Sequence, residues 1–211
     1  GDKTNQEASG KTQETAHAGL VGRLNYDFSN RYLVEFNFRY DGTYKFREGN
    51  RWGFFPGVSL GWRVSEEAFF KKLLPDRDNL KIRASYAKVG DEGDFDAFQY
   101  LDGYTSHGSY IMGSNGVTSG MTTVGMANPW LTWYESKIMN IGFEASYHRG
   151  LISVEFDWFR RNRSGLPATR VGSLPTIFGD AMPPANLNSD FNTGLEMVVE
   201  HKNRLGNCNY N

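Results

Sequence analysis

The chain has no run of about 18 apolar residues, so no transmembrane helix can be drawn through it. Its first residues, GDKTNQEASGKTQETAHAG, carry neither a basic head nor an apolar core and do not read as a signal peptide. Cysteine is nearly absent: the single Cys208 excludes an intrachain disulfide framework and a cysteine zinc cluster. A formal net charge of −1 leaves no basic footprint for nucleic acid. A catalytic constellation is missing too. His17, His107, His148 and His201 are scattered, with no pair at metal-ligand spacing. GSNG and GVTSG lack the lysine and the strand-to-helix context of a phosphate loop. The residues therefore point away from an enzyme.

What the sequence does have is 15% aromatic residues, 24 glycines and a repeated dyad. In AGLVGRLNYDF, Leu20, Leu24, Tyr26 and Phe28 fall on one face and Arg23, Asn25 and Asp27 on the other. After a tight turn at Ser29, Asn30 and Arg31, YLVEFNFRYD sets Val34, Phe36, Phe38 and Tyr40 against Glu35, Asn37 and Arg39. VSLGWRV sets Val58, Leu60, Trp62 and Val64 against Ser59, Gly61 and Arg63. The pattern recurs in NLKIRASYAK, KIMNIGFEASY, LISVEFDWFRR and TGLEMVVEH, which makes seven strands of an all-β chain. Connections alternate between short (SNR, HRG) and long (about 42–56, 90–136 and 163–190), so one end of the sheet is trimmed and the other elaborated. On the trimmed side, SEEAFFKKLLPDRDN reads as a helical turn with Ser65 as its cap and Pro75 after its stop.

Two features of the long 90–136 segment are candidate sites. Asp91, Asp94 and Asp96, with Glu92, could offer hard oxygen ligands to calcium, although their spacing is not that of an EF-hand and a solvated acidic loop is the simpler reading. Tyr100, Tyr104, Trp130 and Trp133 present flat apolar faces of the kind that stack on sugar rings, and Asn128 could add hydrogen bonds. Against this, Trp130 and Trp133 also suit loop core. No other cofactor is indicated.

Alternation alone fits two architectures: a soluble sheet with an apolar interior, or a membrane barrel with an apolar exterior. The opposite face carries Arg23, Glu35, Arg39, Arg63, Arg83, Glu144, Glu155, Asp157 and Glu196, and aromatics gather near strand ends. A lipid-facing band with aromatic girdles and a polar lumen predicts that distribution.

The blocks GRLNYDFSNRYLVEFNFRYDGTYKF, NRWGFFPGVSLGWRVSEEAFF, LKIRASYAKVGDEG, NPWLTWYESKIMNIGFEAS and NLNSDFNTGLEM carry a resemblance. From about residue 18 onward the chain resembles the barrel of SusC/RagA-like TonB-dependent outer-membrane transporters. The resemblance implies part of a 22-stranded antiparallel transmembrane β-barrel closed around a plug, in the bacterial outer membrane. It also implies a SusD-like surface lipoprotein as partner, and TonB acting through segments not seen here. On that reading residues 1–17 are a polar external loop and 18–211 a portion of the barrel from a longer transporter. Val58, Leu60, Trp62 and Val64 then face lipid. The implied function is import of a bulky nutrient: an oligosaccharide in the first reading, an oligopeptide in the second. A soluble β-sheet carbohydrate-binding or adhesion module is the alternative of a different class.

Overall fold

The computed structural model describes residues 14–73, 79–93, 95–111, 116–148, 150–170, 175, 177, 182–205 and 208–210. Seven strands form one antiparallel sheet: β1 (His17–Phe28), β2 (Tyr32–Thr43), β3 (Trp52–Arg63), β4 (Asn79–Asp91), β7 (Tyr134–Tyr147), β8 (Ile152–Ala168) and β9 (Ala185–His201). They lie in the order β1-β2-β3-β4-β7-β8-β9, each beside its predecessor in the wall, and they are the seven strands that the dyads predict. Strands β5 (Tyr104–Ile111) and β6 (Val117–Thr123) make a separate hairpin between β4 and β7, and β10 (Asn203–Leu205) and β11 (Cys208–Tyr210) make a short ladder near the end.

Register turns the sequence dyad into continuous rows. Phe28, Tyr32, Trp62, Ile82, Phe143, Phe156 and Met197 pair in succession across all seven strands. The next row on that face is Tyr26, Val34, Leu60, Ala84, Ile141, Trp158 and Leu195. Both rows are apolar throughout. Between them on the opposite face runs Asp27, Leu33, Gly61, Arg83, Gly142, Asp157 and Glu196. A slip of one residue in any strand would exchange these faces. The apolar face is open: Leu24, Tyr26, Leu60, Leu195 and Met197 are all more than half exposed.

The strands are longer than the alternation suggests. The connection expected over 42–56 shrinks to 44–51, since Trp52, Phe54 and Pro56 continue the apolar face of β3 opposite Gly42, Tyr40 and Phe38. Pro56 is tolerated there because the ladder to β4 begins one residue later, at Gly57. Likewise β4 runs to Asp91, β7 starts at Tyr134, and β8 and β9 reach Ala168 and back to Ala185. Past the apolar rows the outer face turns polar, while Ala87, Val89 and Ile138 lie on the inner face. Lys88, Lys137, Arg160 and Asn162 continue the outer face there, so the dyad disappears while the hydrogen-bonded ladder continues.

The first short turn places Ser29 and Asn30 in the left-handed region (φ 53° and 57°), with the Asn30 N–H donating to the Asp27 carboxylate at 2.8 Å. The second short connection holds His148 at φ 51° and Gly150 at φ 81°. The expected helical turn forms as a 3-10 turn, Val64–Glu66, and a short helix α1, Ala68–Leu73. Ser65 does not cap it, because its hydroxyl donates to Asn79 Oδ1 at 3.1 Å instead. Val64, expected on the outward face, is buried in this turn. Pro75 lies outside the described residues.

Candidate functional site

The polar face carries a network built around an empty position. Arg83 pairs with Gly142, which in turn pairs with Asp157. Since Gly142 has no side chain, the Arg83 guanidinium passes over it and donates to both Asp157 oxygens, while its Nη1 reaches Glu144 at 2.5 Å. A Cβ on Gly142 would stand 2.3 Å from Asp157 Oδ1. Lys81 adds a second cation to Glu144 at 3.6 Å. Arg23 with Glu35 and Arg163 with Asp190 repeat the arrangement elsewhere on this face. Every carboxylate named here is balanced by a cation. The arrangement makes a cross-braced wall of paired charges.

Above the wall the long connections pack on one another. Phe46, Phe95 and Leu131 form a fully buried cluster, with Trp133 edge-on to Phe46 at 5.8 Å and to Phe55 at 5.3 Å. Phe55 belongs to the polar face of β3, opposite Arg39, and its ring covers Gly90 so closely that a Cβ there would lie 1.8 Å away. Amide side chains tie the connections together. Asn128 Nδ2 donates to Pro184 O at 2.8 Å, and Asn186 donates to Thr132 O while accepting the Thr132 N–H. Asn50 Nδ2 donates to Leu131 O at 3.2 Å, and Trp133 Nε1 to Arg51 O at 3.0 Å.

The candidates from the sequence fall into different settings. Trp133 is packed in the cluster, and Asn128 is buried and bonded on both sides. Tyr100 is half-buried, its ring 6.2 Å from that of Phe98. Tyr104 and Trp130 are exposed, Tyr104 on hairpin β5–β6 and Trp130 in the turn before Leu131. The structure thus groups Asn128, Trp130 and Trp133 at the base of the connections and sets Tyr104 on the hairpin. Asp91 accepts from the Gly93 N–H and the Tyr134 hydroxyl, Asp96 from the Gln99 amide, and Asp94 lies outside the described residues. Among the described residues no group of three His, Cys, Asp or Glu side chains is placed to hold a metal. Glu92 instead meets Lys45 at 3.0 Å and His17 at 3.7 Å.

Sequence reasoning missed Phe46, Phe95, Leu131 and Asn186, which carry the packing of this region. None lies in a periodic segment long enough to announce burial. Glu67 reads in the sequence only as an acid suited to the start of the helical turn, but its carboxylate accepts from the Tyr32 hydroxyl at 2.7 Å and Trp62 Nε1 at 3.2 Å and meets Arg31 at 3.5 Å. The Tyr32 hydroxyl first, then the Trp62 N–H, holds the Glu67 carboxyl below its ordinary pKa. Lys71 does the same for Glu66.

An open antiparallel sheet with an exposed apolar face, a neutralised polar face, short turns at one end and packed connections at the other is a section of an outer-membrane-type β-barrel wall. The chain belongs to the TonB-dependent receptor β-barrel family, whose model, described as TonB dependent receptor-like, beta-barrel, matches residues 1–210. It is 33% identical over 198 residues to the TonB-dependent receptor SusC of Bacteroides thetaiotaomicron, across 90% of this chain and 19% of SusC. The TonB-dependent receptor P39 of Formosa agariphila is 32% identical over 195 residues, across 90% of this chain and 18% of P39. The structure superimposes on the RagAB peptide importer in its closed-closed state with a TM-score of 0.76 at 20% identity, over 92% of this chain and 20% of that one. The chain therefore spans about a fifth of the length of the relatives it matches. The family consists of outer-membrane receptors and transporters, not enzymes.

Proposed function

We propose that this chain forms part of the barrel wall of a TonB-dependent transporter that imports an oligosaccharide across the bacterial outer membrane, together with a SusD-like surface lipoprotein. The observation that carries this reading is the pair of uninterrupted apolar rows across seven strands, exposed on one side and backed by ion pairs on the other. Lipid is the solvent that suits such a face, since water would leave a very large apolar patch uncovered. The polar face then lines the lumen, and the packed connections form the outer rim. Engagement of TonB belongs to other parts of the transporter.

Exposed Tyr104 and Trp130 at the rim favour sugar as the cargo. A second reading, peptide import, is favoured by a groove of about 630 Å³ lined by Phe98, Leu101, Val124, Met126, Met182 and Pro183. Apolar side chains of a peptide would fit its apolar wall, and Asp96, Gln99 and Asp102 at its edge would meet polar groups of the backbone. The two readings separate in one experiment: isolation of the transporter with its lipoprotein from native outer membranes, followed by mass spectrometry of co-purified ligand. Hexose or pentose ladders support the first reading. Peptides of mixed sequence overturn it in favour of the second.

A further inference from the structure

Trp130 combines an exposed ring with a fixed backbone. The residue is 80% exposed, yet it sits between buried Asn128 and fully buried Leu131. The Trp130 N–H donates to Asn128 Oδ1 at 3.0 Å, and the Asn128 N–H donates to Gln99 O at 2.9 Å. Leu131 O accepts from Asn50, and Pro129 restricts the backbone on the other side. A ring presented to water from a backbone pinned at both ends loses little further freedom when a ligand covers it.

Beside that ring lies a recess of about 350 Å³ lined by Arg47, Glu48, Gly49, Asn50, Pro129 and Trp130. That volume is at the small end of the range for small-molecule sites. Arg47 and Glu48 are exposed, and neither joins an ion pair among the described residues. The recess thus offers a flat apolar surface, a fork of donors and a carboxylate acceptor at one place. The chemistry that matches all three is a pyranose ring: its C–H face stacks on the indole, and its hydroxyls donate to Glu48 and accept from Arg47. An anionic ligand would meet the Glu48 carboxylate, and an apolar peptide side chain would leave both charges unpaired.

We propose that Trp130, with Arg47, Glu48 and Asn50, forms a saccharide-stacking subsite at the rim of the transporter. This rests on the oligosaccharide reading above and goes beyond it by assigning the turn 47–50 a binding role. Gly49 supplies an independent probe. A Cβ there would meet nothing within 4 Å, and the residue is not in the left-handed region, so a larger side chain is accommodated at the lining of the recess.

The test measures binding of maltohexaose, cellohexaose, mannohexaose and xylohexaose, and of an apolar hexapeptide, to the full transporter with its lipoprotein by calorimetry. Four variants are compared: Trp130→Ala, Trp130→Phe, Gly49→Leu and, as a control in the apolar groove, Val124→Ala. Outer-membrane levels confirm that each variant folds. The expected result is that at least one hexasaccharide binds, that Trp130→Ala and Gly49→Leu each weaken it about tenfold or more, and that Trp130→Phe and Val124→Ala stay close to the parent. A hexasaccharide bound equally by parent, Trp130→Ala and Gly49→Leu overturns the subsite and leaves the oligosaccharide reading standing. Binding of the hexapeptide with none of the four sugars overturns both.

Discussion

The wall and the rim of this molecule are built on opposite principles. In the seven-stranded wall the large side chains of the outer rows are open on their outer side, and stability comes from the ladder, from cross-strand rows such as Phe143 against Phe156 at 5.7 Å, and from whatever solvent the apolar face meets. At the rim, Phe46, Phe95 and Leu131 are shielded by the protein itself, and amides of Asn50, Asn128 and Asn186 hold the connections in register. The lesson is that the wall depends on its surroundings and the rim does not. Mutations should separate the two regions accordingly.

The largest effect should come from opening the rim core. Phe46→Ala removes a ring packed against Phe95 and Trp133 and should destabilise the connections by about 3–5 kcal/mol. Amide hydrogen exchange in reconstituted transporter should quicken around 92–103 and 126–133 while the strands keep their protection. Loss of protection across β2 to β4 would show that rim and wall unfold as one unit. Next in size is a charge on the outer rows. Leu60→Arg should cost about 2–4 kcal/mol in a bilayer, and Ser59→Arg, on the polar face, far less, as read from denaturant midpoints of refolding into vesicles. Equal penalties would erase the distinction between the faces. Asn128→Ala leaves the Pro184 carbonyl and the Trp130 N–H without their partner and should cost about 1–3 kcal/mol. Its signature is faster exchange at 182–186 with no change in the wall.

The smallest effect is a pH dependence at the trimmed end. Glu67 is held below its ordinary pKa, chiefly by the Tyr32 hydroxyl and then by Trp62, so its contribution is complete above the unfolded-state value and is lost as pH falls through the folded one. Acidification should therefore loosen the turn at 64–67, read as a change in Trp62 emission, and Glu67→Gln should flatten that response. A response unchanged by Glu67→Gln would assign it to another group.

The contrast also explains what could be read from the sequence. Each wall strand was legible because lipid-facing and lumen-facing positions alternate, so Val34, Phe36, Leu60 and Ile82 announce both the strand and its face. The strand ends were not. Around Lys88, Lys137, Arg160 and Asn162 the outer face is charged or polar while Val89 and Ile138 lie on the inner one, so the period is lost although pairing continues. The rim was least legible of all. Phe46, Phe95 and Leu131 meet across connections about 36 to 85 positions apart in sequence, and Asn128 reaches Pro184 over a separation of 56. Trp130 and Trp133, three residues apart and alike in type, are exposed and half-buried respectively, a difference that only the tertiary packing determines.

The orientation of the wall can be read from two adjacent residues. Nitroxide labels attached through Ser59→Cys and Leu60→Cys, one at a time, in full transporter reconstituted into bilayers report their collisions with dissolved oxygen and with a water-soluble nickel chelate. The label at position 60 is expected to collide preferentially with oxygen and to be shielded from the chelate, and the label one residue earlier to show the reverse. Matching accessibilities, or the opposite assignment, would contradict that orientation.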